Sequence, residues 1–424
     1  MLNRTFILFA LCVSPVSILI ADVPSSLAAD GGSMFTPLRM EEAVSLAKQA
    51  DLLYKSQSSM AQSYQDKSIA VRKYPDPKVK FSALNFPSDT YARDQEPMTQ
   101  LKVGLQQKLP RGKTLRFKSQ KAKLMAARHT YMAMDRRLRT VRSTRKAWLE
   151  LWYWIKAEKI ISYNKALFVR ALRTTRDQYK TGKRRQEDIV RAQLELDLLN
   201  DRLVQIKTKQ QQARATLASL VGQTAALRPL PKKMPSFNWM PRASKIKRQL
   251  RNHPLLVSSI KAVEAKRRDV DISKQAYKTG VAFEVSYAQR QNRPDFVSAG
   301  VALRIPLFKR NKLNHQTSAA QQRVNAEVNR KDDMFVMMLR QYNDRLAVWT
   351  KLKQRYRSFK FRLIPRARSN ARLTTSTYRN GRTDFANMIR AQITALNIQL
   401  KATRIKIDLS KVHADMSYLA GENP

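Results

Sequence analysis

Cysteine is almost missing from this chain. The only one, Cys12, lies inside an apolar run from Phe6 to Ile20 that follows Arg4 and leads into Ser26-Leu27-Ala28-Ala29. A basic start, an apolar stretch and a small-residue exit predict a secretory signal over residues 1–29, cleaved after Ala28 or Ala29. Leu11 stands where a lipid-attachment motif needs a small residue, so no lipid is expected on Cys12. The exported chain then has no thiol. This excludes disulfides, thiolate metal sites and cysteine nucleophiles, and leaves size and packing to hold the fold. Histidine is nearly as scarce: His129, His253, His315 and His413 fall without metal-ligand spacing. No Ser/His/Asp arrangement or phosphate loop stands in a fitting context, so no enzyme, metal or cofactor is expected. Met334, Met337 and Met338 fit helix packing better than a metal relay. Beyond the signal, no segment offers the roughly 18 uninterrupted apolar residues of a transmembrane helix. Any membrane span has to be built from strands.

Acidic residues are the other shortage. The chain has 81 Lys and Arg against 32 Asp and Glu, a net charge of +49. The imbalance is steepest from Lys102 to Lys146, where 15 bases face Asp135 alone. Such a run reads either as a surface for phosphate, in nucleic acid or lipid headgroups, or as the solvated face of long helices. The bases are spread through amphipathic helices and match no nucleic-acid motif.

Glycine is also thin, and its spacing shows the plan of the chain. Between Gly112 and Gly182 there is neither glycine nor proline, room for a helix of about 100 Å at ~1.5 Å per residue. Trp148, Leu151, Trp152 and Ile155 give that helix an apolar stripe. A 44-residue stretch from Tyr179 to Gly222 then recurs 199 positions later, from Tyr378 to Gly421, with 10 identities and no gap. Ile189, Ala192, Leu196, Leu199, Leu203, Ile206, Gln210, Ala213, Leu217 and Leu220 form a heptad seam in the first copy. Met388, Ala391, Ala395, Ile398, Ala402, Ile405, Leu409, Val412, Met416 and Leu419 repeat it in the second. Strict alternation of three and four packs a helix against a partner as a left-handed coiled coil.

Ahead of each long helix comes a pair of alternating segments. Val79, Phe81 and Ala83 oppose Lys78, Lys80 and Ser82; Leu101, Val103, Leu105 and Leu109 oppose Gln100, Lys102, Gln106 and Lys108. In the second half Val281, Phe283, Val285 and Tyr287 oppose Ala282, Glu284 and Ser286. Val297, Ala299, Val301, Leu303 and Ile305 oppose Ser298, Gly300, Ala302 and Arg304. Strands of about 9–11 residues with one apolar face suit a membrane barrel, lipid on one side and water on the other. Four strands cannot close a barrel and open edges are not tolerated in hydrocarbon, so several chains must share one. Helices are expected at 41–72, at 254–277 and along 309–378, with strand pairs joined by turn-rich loops. The chain divides into a first repeat over 30–222, a proline-rich linker with Trp239 over 223–253, and a second repeat over 254–424.

The order helix, strand, strand, long helix, Tyr-x-x-Gly turn, heptad helix, repeated once, resembles the TolC-like outer-membrane efflux proteins. The resemblance rests on Tyr179-x-x-Gly182 with Asp188-x-x-Arg191-Ala192-Gln193 and on Tyr378-x-x-Gly381 with Arg390-Ala391-Gln392. It also rests on Leu363-Ile364-Pro365 and on Arg304-Ile305-Pro306-Leu307-Phe308. Residues 106–113, Gln-Gln-Lys-Leu-Pro-Arg-Gly-Lys, resemble the heavy-metal-resistance branch. The resemblance implies a homotrimer whose twelve-stranded barrel sits in the outer membrane and whose coiled-coil hairpins cross the periplasm. It implies a passive exit duct in a tripartite efflux or secretion system, docked to a periplasmic adaptor protein and an inner-membrane transporter, with no nucleic-acid partner.

By the same resemblance, Tyr179, Gly182, Lys183, Tyr378, Gly381 and Arg382 form the periplasmic tip that meets the adaptor. Asp188, Arg191, Asn387 and Arg390 surround the aperture. Val79, Phe81, Leu101, Val103, Leu105, Phe283, Val285, Val301 and Leu303 face lipid. Family tips often carry a small or apolar residue after the glycine and an acidic ring further on, whereas this chain has Lys183, Arg382, Asn387 and Arg390. Arg390 stands either in an unpaired basic ring or in a salt bridge to Asp188. From residues alone the competing reading is a basic helical scaffold in the periplasm, held on an anionic polymer or membrane surface by charge.

Overall fold

The computed structural model describes residues 36–182, 185–235 and 243–421, with the side chains of 243 and 244 left aside. The expected signal, Lys183 and Trp239 lie outside the described residues.

Helices dominate. α1 (Met40–Ala50) and α2 (Leu52–Ala70) replace the single helix expected there. Asp51 divides them: it takes an extended backbone, and its Oδ1 accepts from the amides of Leu53 and Tyr54 at 3.1 and 3.2 Å. A side chain that satisfies orphan amides starts a new helix where it sits. β1 (Lys78–Leu84) and β2 (Gln100–Leu109) follow, then α3 (Thr114–Lys180), 67 residues without a break. α4 (Gln186–Val221) returns along it, and α5 (Gln223–Leu227) and α6 (Ala243–Arg251) belong to the connecting segment. The second half repeats the order with α7 (Pro254–Gln275), β3 (Gly280–Gln289) and β4 (Phe296–Arg304). α8 (Asn314–Ser358), α9 (Ile364–Arg379) and α10 (Phe385–Leu419) complete it.

The helix expected over 309–378 follows one path with two wide π turns, at Lys309–Leu313 and Phe359–Leu363. Pro365 explains the second. It has no amide to donate to Phe361, and in the widened turn the Ile364 amide bonds Phe359 O instead.

The four strands form one antiparallel sheet in the order β1-β2-β3-β4. Thus the hairpins of the two halves join side by side through β2 and β3, with Val103 opposite Tyr287 and Gly104 opposite Ser286.

The seam of α4 packs as predicted, with Ala192, Leu199, Ile206, Ala213 and Leu217 buried. In α10 the predicted seam is buried at Met388, Ala391, Ala402, Ile405, Val412, Met416 and Leu419. A second buried stripe, Ile389, Leu396 and Ile407, joins the cluster on α3, so α10 is packed on two sides. The expected aromatic stripe of α3 anchors that cluster. Trp148 is fully buried and its indole donates to Leu38 O at 3.0 Å, while Trp152 donates to Pro231 O at 3.0 Å. The segments before α1 and after α5 are therefore bound to the middle of the longest helix.

A polar knot lies nearer the start of α3. Asp135 on α3 accepts from the Tyr418 hydroxyl at 2.8 Å and pairs with Arg139 at 2.7 Å. His253 is fully buried beside it. Its Nδ1 accepts the Leu255 amide at 3.2 Å and caps α7, so the ring proton sits on Nε2 and is donated to Tyr418 O at 2.9 Å. Burial, helped by Arg139 and Arg142 and opposed by Asp135, lowers the His253 pKa. A base whose folded pKa is depressed stabilises the fold fully above its unfolded pKa of about 6.5, and that contribution is lost as pH falls toward and through the folded value. Thermal unfolding midpoints should therefore drop between neutral and mildly acidic pH, and the drop should shrink in His253→Asn, which keeps a capping side chain. Parallel pH profiles for the two proteins would exclude His253 as the cause.

Candidate duct: tip, sheet faces and aperture residues

Both Tyr-x-x-Gly segments are helix-ending turns. Gly182 has φ 68° and its amide bonds Tyr179 O at 2.9 Å; Gly381 has φ 72° and its amide bonds Tyr378 O at 3.0 Å. These left-handed positions are strained for any residue with a side chain, and they let each chain reverse within a few residues. After the second turn Asp384 caps α10 by accepting the Asn387 amide at 2.7 Å.

Although the turns match in sequence, their tyrosines differ. Tyr378 is buried, stacks edge-on with Phe385 at 5.7 Å, and shares a hydrogen bond of 2.9 Å with Thr175 of α3. Tyr179 is 44% exposed. Thr175 and Phe385 were not legible as neighbours of this turn, because neither belongs to the repeated motif.

Asp188 and Arg191 lie in the first two turns of α4, where Glu187 pairs with Arg191 at 3.2 Å. Asn387 and Arg390 occupy the equivalent exposed places on α10, whose first turn has no acid. Within one protomer, among the described residues, Asp188 and Arg390 form no ion pair. Arg382 lies just past the second turn and its amide bonds Thr377 O at 2.9 Å.

The sheet has two chemically opposite faces. In register, Val79, Phe81 and Ala83 lie beside Leu105, Val103 and Leu101, then Val285 and Tyr287, then Ala299 and Val297. Phe283 and Val301 continue the same face, as do Val281 and Leu303. Among the described residues nothing covers it: Phe81 is 78%, Val301 60% and Leu303 59% exposed. The opposite face carries Lys78, Lys80, Lys102, Gln106, Lys108, Glu284 and Arg304 with small residues between them. Gly104, Ser286 and Ala288 on that side are buried, as expected when a sheet curls toward its polar face. Lys80 pairs with Glu284 at 2.9 Å, and Gln106 donates to the same carboxylate at 3.1 Å.

Among the described residues, no helix is long and apolar enough to cross a membrane, and no group of three or more acidic, histidine or cysteine side chains could hold a metal ion.

No protein-family model matches the chain, and a search of curated proteins finds no match. Solved structures do match along almost its whole length. The outer membrane protein VceC from Vibrio cholerae is 16% identical, with 91% of this chain and 96% of that chain covered at a TM-score of 0.77. The outer-membrane channel OprN is 14% identical, with 92% and 93% covered at 0.78. The CmeC outer membrane channel of Campylobacter jejuni is 11% identical, with 90% and 85% covered at 0.77. The chain therefore has the fold of the TolC-like outer-membrane efflux channels, long helical hairpins joined to one four-stranded antiparallel sheet.

Proposed function

We propose that this protein is the passive exit duct of a tripartite efflux or secretion system. Three copies share one twelve-stranded barrel in the outer membrane, and their helices cross the periplasm. One observation carries the reading. The sheet has a largely apolar face, interrupted at Gln107 and Gln289, that no described residue covers, and among the described residues β1 and β4 each lack a partner on one side. Lipid can cover the face, but only neighbouring strands can satisfy the edges within hydrocarbon. The tip turns at Tyr179, Gly182, Tyr378, Gly381 and Arg382 then serve as the docking surface for a periplasmic adaptor and its inner-membrane pump. Asp188, Arg191, Asn387 and Arg390 ring the aperture.

The repeat supports closure by further copies of this chain. Ile389 and Ile393 of α10 pack on the α3 cluster within the protomer. Their counterparts 199 residues earlier, Val190 and Leu194, are 57% and 58% exposed on α4. Tyr378 meets Thr175 inside the protomer, while the equivalent pair, Tyr179 and Thr374, makes no such hydrogen bond: Tyr179 is exposed and the Thr374 hydroxyl donates to Asn370 O. Each exposed member fits the edge of the next copy, where Tyr179 would meet Thr374 as Tyr378 meets Thr175.

The test is the native mass and conductance of detergent-purified protein. A trimer that opens ohmic pores in planar bilayers is expected, together with retention in the membrane fraction after washing in about 1 M salt, where charges are screened beyond ~3 Å. Tyr179→Phe and Thr374→Val should each weaken the trimer by about 0.5–1.5 kcal/mol and show coupling in a double-mutant cycle. A folded monomer released by salt would defeat the duct and favour the basic scaffold.

A further inference from the structure

The polar face of the sheet carries five bases, Lys78, Lys80, Lys102, Lys108 and Arg304, and one acid, Glu284. The acid is already engaged by Lys80 and Gln106. The bases are also not evenly placed. Lys78, Lys108 and Arg304 lie at the strand ends that join the helices, near Arg111 of the β2–α3 turn and Lys118 at the start of α3. A cleft of about 790 Å³ at this junction is lined by Lys108, Arg111, Lys118 and Arg304 and by no acidic side chain. Of the acids flanking the strands, Asp89, Asp94, Glu96 and Asp295 belong to the loops at the opposite ends, and Asp76, just before β1, stands on the junction side.

We infer that the inner wall of the barrel and its junction with the helices form an anion-selective filter, so that the duct favours negatively charged solutes. This rests on the duct reading above, which puts the polar face on the lumen. Three copies place fifteen bases against three acids around one water-filled wall, three times the five and one of a single sheet. Low-dielectric surroundings focus such a field into the lumen. A lumen potential of even about one kT favours a monovalent anion over a monovalent cation by about sevenfold, the ratio of their two Boltzmann factors. A solute arriving from the helices meets the densest part of the basic wall first, and the acidic loops lie beyond it. The cargo class this wall accepts is the carboxylate, phosphate or sulfate ester rather than the metal cation or cationic drug.

The experiment is the reversal potential of the full chain in neutral-lipid planar bilayers under a KCl gradient. Chloride is expected to be several-fold more permeant than potassium, with the preference fading as salt rises and the Debye length shrinks. The triple variant Lys102→Glu, Lys108→Glu, Arg304→Glu turns five bases and one acid per copy into two bases and four acids. It should reverse the sign while conductance persists. If the triple variant fails to insert, Lys102→Gln alone should shift the reversal potential part of the way. Cation selectivity in the wild type would overturn the inference. So would a selectivity unmoved by the wall variants but abolished by Arg390→Glu, which would put the filter at the tip. A folded protein with no conductance would defeat the duct reading itself, a separate outcome.

Discussion

Val103→Arg is expected to abolish assembly. Val103 sits mid-strand in β2, between Phe81 of β1 and Tyr287 of β3, on the apolar face, and is 45% exposed in the protomer. A cation on the lipid side of a barrel costs about 2–4 kcal/mol near the bilayer midplane, and a trimer bears that cost three times. Summed, about 6–12 kcal/mol is comparable with the whole stability of many folded proteins. The neighbouring change Lys102→Arg provides the control, because adjacent strand residues point to opposite faces. It keeps a cation on the polar side and should leave assembly untouched. The readout is the yield of trimer after refolding into liposomes. Equal yields for the two variants would mean that the apolar face does not meet lipid. Val301→Arg makes the same test on β4, where the side chain is 60% exposed and aligned with Phe283.

Most of the fold could be read from local pattern. Period-two alternation marked all four strands, because each is one-sided, and the heptads marked α4 and α10, because each seam meets one partner. The scarcity of glycine and proline foretold the length of α3. What escaped the pattern depends on contacts distant in sequence. The second buried stripe of α10, at Ile389, Leu396 and Ile407, arises because α10 lies against α3 as well as its own hairpin. A single-seam reading has no means to foresee that. The break at Asp51 was hidden because its backbone capping is reinforced from afar, by Arg136 at 2.9 Å and by Thr140, both on α3. At the two turns the repeat led to two equivalent tyrosines, but their burial differs: Tyr378 meets Thr175 of α3 within the chain, whereas Tyr179 stays exposed. Val190 and Leu194 are likewise exposed on α4 where their counterparts Ile389 and Ile393 pack on the α3 cluster. The charge of the sheet's polar face was visible residue by residue, but its concentration at the helix junction needed the register.

Asp415→Ala should be the most damaging change outside the barrel. In a chain with 81 bases and 32 acids, a buried carboxylate serves several cations at once. Asp415 of α10 is 6% exposed and draws Lys146 to 3.1 Å, Arg345 to 3.4 Å and Arg142 to 4.0 Å. Lys146 and Arg142 come from α3 and Arg345 from α8, so one carboxylate ties helices of both halves. Its removal leaves three cations facing one another without compensation. Breaking a buried ion cluster costs about 3–5 kcal/mol, and the lower end applies because the three cations keep partial access to water. Asp415→Asn should fall between, since an amide still accepts hydrogen bonds but cannot offset the charge. Glu187→Ala is the surface comparison: its pair with Arg191 is exposed and spans i to i+4, so about 0.5 kcal/mol or less is expected. Guanidinium unfolding midpoints in detergent, at constant slope, would rank the three. If Asp415→Ala lost no more than Glu187→Ala, the cluster would be solvated and the basic helices would be held apart by water rather than tied by their few acids.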